Sequence, residues 1–476
     1  MDDPQLVAVA CVVVSIVIYA VRWYTNPLNS IPTVGGSSLP GLSYLTAWHT
    51  VHNCREILQD GYRKYPDSVF KIAMFDCWVV IAAGRNMVEE LRKRPEELSA
   101  SLGLGEVVQA RYLRDPQVLS DTYHVRVVKE KLTGRTLQHI LPDVMDEIPV
   151  AVGGLITTDG NGWTSVEVIP AMQNIIVQAN NRAFVGLPLC RNETYIRLAM
   201  DFEEHNKKWG AILGLVPDFI RLAIAPFINE IKHDTSRAVA LLRPMIEERM
   251  KALADFGEGW NDKPNDVLQF LLDKAIPKGE TLHVIAHRLL IVNLAATGSP
   301  SQTATHVLYH LAENPDLLQP LREEIEANTS VYGWTNTAMG NMWKLDSILR
   351  ETLRYHGIAL VSVLRKATKD IVLSDGTRVP KGTLVQAAAY PLHRDDSYLE
   401  NANVFDPFRY ARMRSVEGES LKHQPSTTSQ EYIPFGHGQH AWCVRSSLSA
   451  SQQDAGLTAT PIVHSLAQGG ISPQMC

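Results

Sequence analysis

The chain has few cysteines and keeps them apart. Its six (Cys11, Cys54, Cys77, Cys190, Cys443 and Cys476) form no C-x-x-C pair in 476 residues, which excludes a disulfide-stapled scaffold and fits a reducing compartment. Basic residues are equally dispersed. There are 45 Lys and Arg against 51 Asp and Glu, a formal charge of −6, with no basic run or stripe, so nothing marks a nucleic-acid surface. Low-complexity stretches and long polar linkers are missing too, so the length reads as one large domain. With 45% hydrophobic and 20% charged residues, the composition supports a substantial core and excludes a disordered chain. Two sequons, at Asn192 and Asn328, are read as unused, since such tripeptides are common by chance.

One uncharged apolar run stands out, LVAVACVVVSIVIYAV from Leu6 to Val21, followed by Arg22, Trp23 and Tyr24. This is the pattern of a helix leaving a bilayer through its headgroup region. It predicts a transmembrane anchor over residues 1–25. The alternative is a cleaved signal peptide; Asp2 and Asp3 in place of a basic leader, and the lack of a small-x-small cleavage site, weigh against it. Arg22 on the C-terminal flank puts everything after it in the cytosol by the positive-inside rule. A Pro/Gly hinge is expected over residues 26–50, because Pro27, Pro32, Pro40 and the Gly35-Gly36 pair stop the helix from continuing.

The body reads as mainly α with a small β portion. Helical periodicity covers 51–63, 123–138, 194–213, 234–256, 264–275, 283–314, 315–328 and 345–353, while 69–83 and 361–385 are rich in β-branched residues punctuated by turns. The apolar stretch 212–231 is broken by Pro217 and Pro226, so it cannot span a membrane. Two readings of it stand, a dip into the membrane surface and a core helix pair joined by a proline turn.

Four segments in order carry the chemistry. Glu351-Thr352-Leu353-Arg354 places a carboxylate and a guanidinium on one helix face. Phe405-Asp406-Pro407-Phe408-Arg409 offers a second arginine downstream. Phe435-Gly436-His437-Gly438-Gln439-His440-Ala441 is a glycine-punctuated loop whose amides can approach a thiolate closely. H-x-x-H-x-x-C, formed by His437, His440 and Cys443, also has the spacing of a zinc site, but no fourth ligand lies nearby and zinc leaves the two upstream segments unexplained. The fourth segment is IVNLAATGSPSQTATHVLYHL from Ile291 to Leu311.

Together these resemble the cytochrome P-450 superfamily of haem-thiolate monooxygenases, over essentially everything from the anchor to about Ala441, with a haem domain over residues 51–441 and wording similar to fungal ent-kaurene-oxidase-like and triterpenoid-modifying members. The resemblance implies haem b, with Glu351, Arg354 and Arg409 as a buried triad locking the loop that carries the haem ligand. It implies Phe435, Gly438 and His440 in that loop, Arg365 and Lys129 as partners for the haem propionates, and Cys443 as the axial ligand to iron. On the distal helix the family places a small residue, an acid or histidine, and then a threonine for proton delivery. Here Ala295, Ala296, Gly298 and Ser299 stand there, so the acid position is empty; Ser299, Ser301 and Thr303 are the candidate hydroxyls, and Pro300 frees an upstream carbonyl that could hold a water. The implied reaction inserts one oxygen atom from O2 into an apolar polycyclic substrate, terpenoid or steroid-like, in secondary metabolism. Electrons come from NADPH through cytochrome P-450 reductase on the same endoplasmic reticulum membrane.

The end of the chain departs from that pattern. The ligand position counted from Phe435 is occupied by Trp442, with Cys443 one residue late, and residues 442–476 show no apolar helical face. A disordered tail is expected, in place of the family's last helix and strands. Trp-Cys-Val is encoded TGG-TGY-GTN, which contains an intron-donor-like GTGYGT directly after TG, so a retained intron accounts for both features. The alternative function is an inactive isoform that binds apolar ligand or reductase without turnover.

Overall fold

The computed structural model describes residues 13, 14, 17, 21, 23–132, 134–155, 165–425 and 427–441. Of the expected anchor, the described Val13, Val14, Val17 and Val21 are helical, with 53–55% of each exposed. The expected hinge is instead docked. Lys71 donates its amide to the Pro32 carbonyl at 2.8 Å, Val34 donates to the Lys71 carbonyl at 3.0 Å, and Leu28, Ile31 and Val34 are buried. Lys71 itself is buried, its ammonium 2.5 Å from the Leu28 carbonyl and over the Trp78 ring; burial pushes its pKa down to about 8. The first long helix, α1 (Leu42–Lys64), begins well before position 51.

Among the described residues there are seven short strands, all but β3 in the β-rich runs or at their end: β1 (Val69–Ala73), β2 (Trp78–Ala82), β3 (Leu98–Ser99), β4 (Ser362–Ala367), β5 (Ile371–Val372), β6 (Arg378–Val379) and β7 (Leu384–Ala387). β1 and β2 form the expected antiparallel hairpin, pairing Val69 with Ala82. The larger sheet runs β1-β2-β7-β4-β3, with β2 and β7 parallel and the other neighbours antiparallel. It therefore ties the N-terminal third to residues beyond 360, and β5 and β6 make a separate hairpin whose turn needs Gly376 at φ +85°.

The principal helices after α1 are α2 (Tyr123–Lys131), α3 (Gly134–Leu155), α4 (Val168–Phe184), α5 (Glu193–Gly214), α6 (Asp218–Ile224), α7 (Glu230–Phe256), α8 (Val267–Ala275), α9 (Leu282–Glu313), α10 (Leu318–Tyr332), α11 (Trp343–Tyr355) and α12 (Arg409–Arg414). Helix α9 is the axis of the α region, packed on α4, α5, α7 and α11. Among the described residues it alone is long and apolar enough to cross a membrane, yet 56% of its most apolar stretch is buried inside the protein, which is the behaviour of a core helix. Helix α4 was not legible in the sequence. It buries Ile175, Ile176, Ala179, Asn180, Asn181 and Phe184 around most of its circumference, so it shows no single apolar stripe. The stretch 212–231 resolves into α6 and a 3-10 turn (Ala225–Phe227). Arg221 is buried and pairs with Asp76 and the Leu213 carbonyl, while Phe219, Leu222 and Phe227 are 71%, 54% and 77% exposed. This matches short amphipathic pieces better than a core helix pair.

Candidate active site

The three charges of the expected triad meet. Arg354 donates to Glu351 in a two-pronged contact, Nε to Oε2 at 2.8 Å and Nη2 to Oε1 at 2.7 Å, and Arg409 Nε reaches Oε1 at 3.3 Å. Glu351 is fully buried, and Arg354 and Arg409 nearly so. A buried charge set of this kind is tolerable only when its remaining hydrogen-bonding capacity is filled. Here it is: Asp406 donates its amide to Glu351 Oε1 at 2.9 Å, Arg354 Nη1 bonds the His393 and Ala402 carbonyls at 2.6 Å each, and Arg409 bonds the carbonyls of Glu400, Asn401 and Val404. The guanidinium forks thus hold the backbone of 393–404 against the end of α11.

The brace reaches the glycine loop through a residue that sequence reasoning missed. His393, whose carbonyl is held by Arg354, accepts the Ile433 amide on Nε2 at 2.9 Å, two residues before Phe435. Burial, with Arg354, Arg394 and Arg350 nearby, holds the His393 pKa down at about 3, so the ring is neutral with its proton on Nδ1. A second missed residue, Arg350 one position before Glu351, lies 3.7 Å from the Tyr432 ring and 4.6 Å from Tyr410, and donates to the Gln424 and Thr427 carbonyls. The loop that follows turns at Gly436 and Gly438, with φ of +84° and +82°, values that favour glycine. A Cβ at Gly438 would stand 2.3 Å from Arg92 Cγ, so the loop lies directly on the helix carrying Arg92. Phe435 is half-buried. The side chain of His440, and residues Trp442 and Cys443 with the rest of 442–476, lie outside the described residues.

On α9 the hydroxyls are mostly committed. Ser301 donates to the Thr297 carbonyl at 2.7 Å and Thr303 to the Ser299 carbonyl at 2.8 Å, the i−4 back-bonds usual for such residues within a helix. Ser299 makes none among the described residues. Nor is the carbonyl freed by Pro300 left for a water: Ala296 accepts from Asn180 Nδ2 of α4 at 3.0 Å, and α9 continues unbroken. Ala295 is exposed although Asn293 and Thr297 beside it are buried, so that side of α9 fronts open space.

Of the two candidate propionate partners, Lys129 stands on the exposed face of α2. Its neighbours Tyr123 and His124 are engaged elsewhere, with Glu280 and Arg288. Arg365 is different. It is 3% exposed and has no carboxylate partner among the described residues. Its Nη1 bonds only the Leu364 carbonyl at 2.8 Å, and its Nε has no partner. Burial alone lowers its pKa, to about 10, and Gly103 packs so close that a Cβ there would lie 2.8 Å from the Arg365 backbone.

Residues 39–444 match the model of the cytochrome P450 family. The chain belongs to the cytochrome P450 family. Among curated proteins it is 70% identical over 441 residues to cytochrome P450 monooxygenase CYP512U6 of Ganoderma lucidum, covering 93% of this chain and 87% of that one. It is 28% identical to ent-kaurene oxidase P450-4 of Gibberella fujikuroi over 86% and 81% of the two chains. A solved structure, the retinoic acid bound cyanobacterial CYP120A1, shares the fold with a TM-score of 0.65 at 18% identity, each chain covered to 91%. The protein is thus a P450 monooxygenase, an oxidoreductase of a family that uses haem and O2 with NADPH electrons delivered by a reductase.

The residues present fit a haem. A buried arginine with an unfilled donor and no counter-anion suits a propionate, and the braced glycine loop suits an axial ligand. When bound, the haem would supply the activation of dioxygen; the braced loop and Arg365 are the parts of the chain that would hold it.

Proposed function

We infer that this chain is a membrane-bound P450 monooxygenase that adds one oxygen atom to an apolar polycyclic substrate, terpenoid or steroid-like, in fungal secondary metabolism. The observation that carries the reading is the buried Glu351–Arg354–Arg409 set coupled through His393 to the loop before Phe435. Such an arrangement costs desolvation of three charges and has a use only if the loop must hold something exactly placed. In this reading Arg365 meets a propionate, Cys443 ligates the iron, Gly438 lets the loop lie close, His440 adds a second propionate contact, and Ser299 is the hydroxyl on the open side of α9. Similarity to an ent-kaurene oxidase supports the substrate class. The exposed valines at 13, 14, 17 and 21, with Phe219, Leu222 and Phe227, support an anchor over 1–25 and a second membrane contact, on the endoplasmic reticulum with the domain 51–441 in the cytosol.

A second reading rests on Trp442, which stands where the family's cysteine belongs: an inactive isoform whose residues 442–476 are translated intron. Sequencing the transcript across codon 442 decides it, because a message always continuous there ends the idea. For the first reading, Arg365→Met gives opposite signs in two measurements. The haem-free chain gains thermal stability, since an uncompensated buried cation is removed, while haem is lost faster on transfer to an acceptor protein. Slower or unchanged haem loss rules out the propionate role.

A further inference from the structure

The acid missing at position 298 has a substitute on another helix. Glu203 of α5 is 3% exposed, and its Oε1 is wholly covered and makes no hydrogen bond among the described residues. That oxygen is aimed at Gly298: a Cβ built there would stand 3.0 Å from it and 4.0 Å from the carboxyl carbon. Glycine at 298 therefore makes room for the carboxylate. One turn along α5, Lys207 brings Nζ to 2.5 Å of the same oxygen, off the hydrogen-bonding direction, and its side chain is 61% exposed. The pair runs from solvent to the backbone of α9. Next in the chain is Ser299, the hydroxyl in 297–305 without a back-bond among the described residues, in contrast to Thr297, Ser301, Thr303 and Thr305.

A lysine and a glutamate four apart on a helix ordinarily form a solvated pair worth about 0.3–0.5 kcal/mol. That account gives no reason to bury one carboxylate oxygen against a glycine of a neighbouring core helix. We propose that Glu203 is the proton-carrying acid of this monooxygenase, supplied by α5 instead of α9. Its Oε1 takes up a proton from the solvent end at Lys207, releases it toward the hydroxyl of Ser299, and returns to carboxylate. Each proton delivered is replaced from solvent, and no electrons move in the relay. The role rests on the reading of the chain as a haem-loaded monooxygenase.

Two measurements test it. The first needs no haem: a double-mutant cycle on the unfolding midpoint with Gly298→Ala and Glu203→Ala. Alanine at 298 is expected to destabilise strongly when Glu203 is present and little when it is absent; additive effects overturn the contact. The second uses the haem-loaded chain. Glu203→Gln keeps the shape and removes the proton, so product formation falls on the order of 10²-fold, the solvent deuterium isotope effect rises, and reducing equivalents leak to peroxide, with the carbon monoxide difference band unchanged. Adding Gly298→Asp to Glu203→Ala, which clears the space beside position 298, restores coupling by returning a carboxylate to α9. A Glu203→Gln enzyme within twofold of the parent, with an unaltered isotope effect, overturns the relay alone. A parent chain that shows no haem band at all overturns the monooxygenase reading, and the relay with it.

Discussion

Replacing Arg354 by alanine tests the brace at its most connected point. The substitution removes both prongs onto Glu351, at 2.8 and 2.7 Å, leaving that fully buried carboxylate with Arg409 Nε at 3.3 Å and the Asp406 amide at 2.9 Å. The His393 and Ala402 carbonyls lose donors at 2.6 Å, whereas the Val404 carbonyl keeps Arg409 at 3.0 Å. Breaking a buried ion pair from one side costs about 3–5 kcal/mol, and each orphaned buried carbonyl about 1–3 kcal/mol. These contributions share partners and do not add simply. A loss of more than about 4 kcal/mol is expected, a large fraction of the roughly 5–15 kcal/mol that holds a domain folded. Arg354→Lys keeps the charge but cannot make the fork and the carbonyl bonds together, so it recovers only part of the loss. The assay is urea unfolding of the detergent-solubilised chain followed by far-ultraviolet circular dichroism and tryptophan fluorescence. An alanine variant within about 1 kcal/mol of the parent would refute the reasoning, because it would mean that the triad carries no net structural role.

Further outcomes follow from individual contacts. His393 has its pKa held at about 3 in the folded protein, below the ~6.5 of an unfolded histidine. Its contribution is therefore fully present above pH 6.5 and is lost as pH falls from there toward 3, while only the unfolded chain takes up the proton. His393→Gln keeps an acceptor for the Ile433 amide but does not titrate, so the slope of stability against pH between 6 and 4 should fall by up to about 1.4 kcal/mol per pH unit; an unchanged slope measured by denaturant titration at several pH values counts against a neutral buried ring. On α9, Asn180→Ala strands the Ala296 carbonyl and should cost about 1–3 kcal/mol. In a Pro300→Ala background, where the residue-300 amide returns to that carbonyl, the same change should cost less than half as much, and equal costs in both backgrounds would contradict the assignment.

How much of this was legible in the sequence differs by element. Glu351 and Arg354 declared themselves because an i, i+3 pair shares a helix face, and Arg409 because its own segment has a recognisable form. The partners that make burial tolerable were not legible, since they are carbonyls of 393–404 and a histidine 40 residues from Ile433. Arg350 was hidden for a similar reason: its rings, Tyr410 and Tyr432, come from distant loops. The freed carbonyl at Ala296 was foreseen from Pro300, but its occupant, Asn180, sits on α4, a helix buried around most of its circumference with no stripe to announce it. Prolines exclude a helix over the hinge segment without saying whether the extended chain docks; three apolar side chains, Leu28, Ile31 and Val34, and the edge of β1 decide that this part of it does. Glu203 carries no signal in the sequence at all, because only the fold sets it against Gly298.

The most direct test of the central claim, that the braced loop presents Cys443 to a haem iron, is the carbon monoxide difference spectrum of membranes expressing this exact chain beside its Cys443→Ser variant. The account predicts a thiolate-type Soret band in the parent and its loss in the variant, with the apoprotein still folded. A band that survives Cys443→Ser, or a parent that takes up no haem while remaining folded, would contradict it.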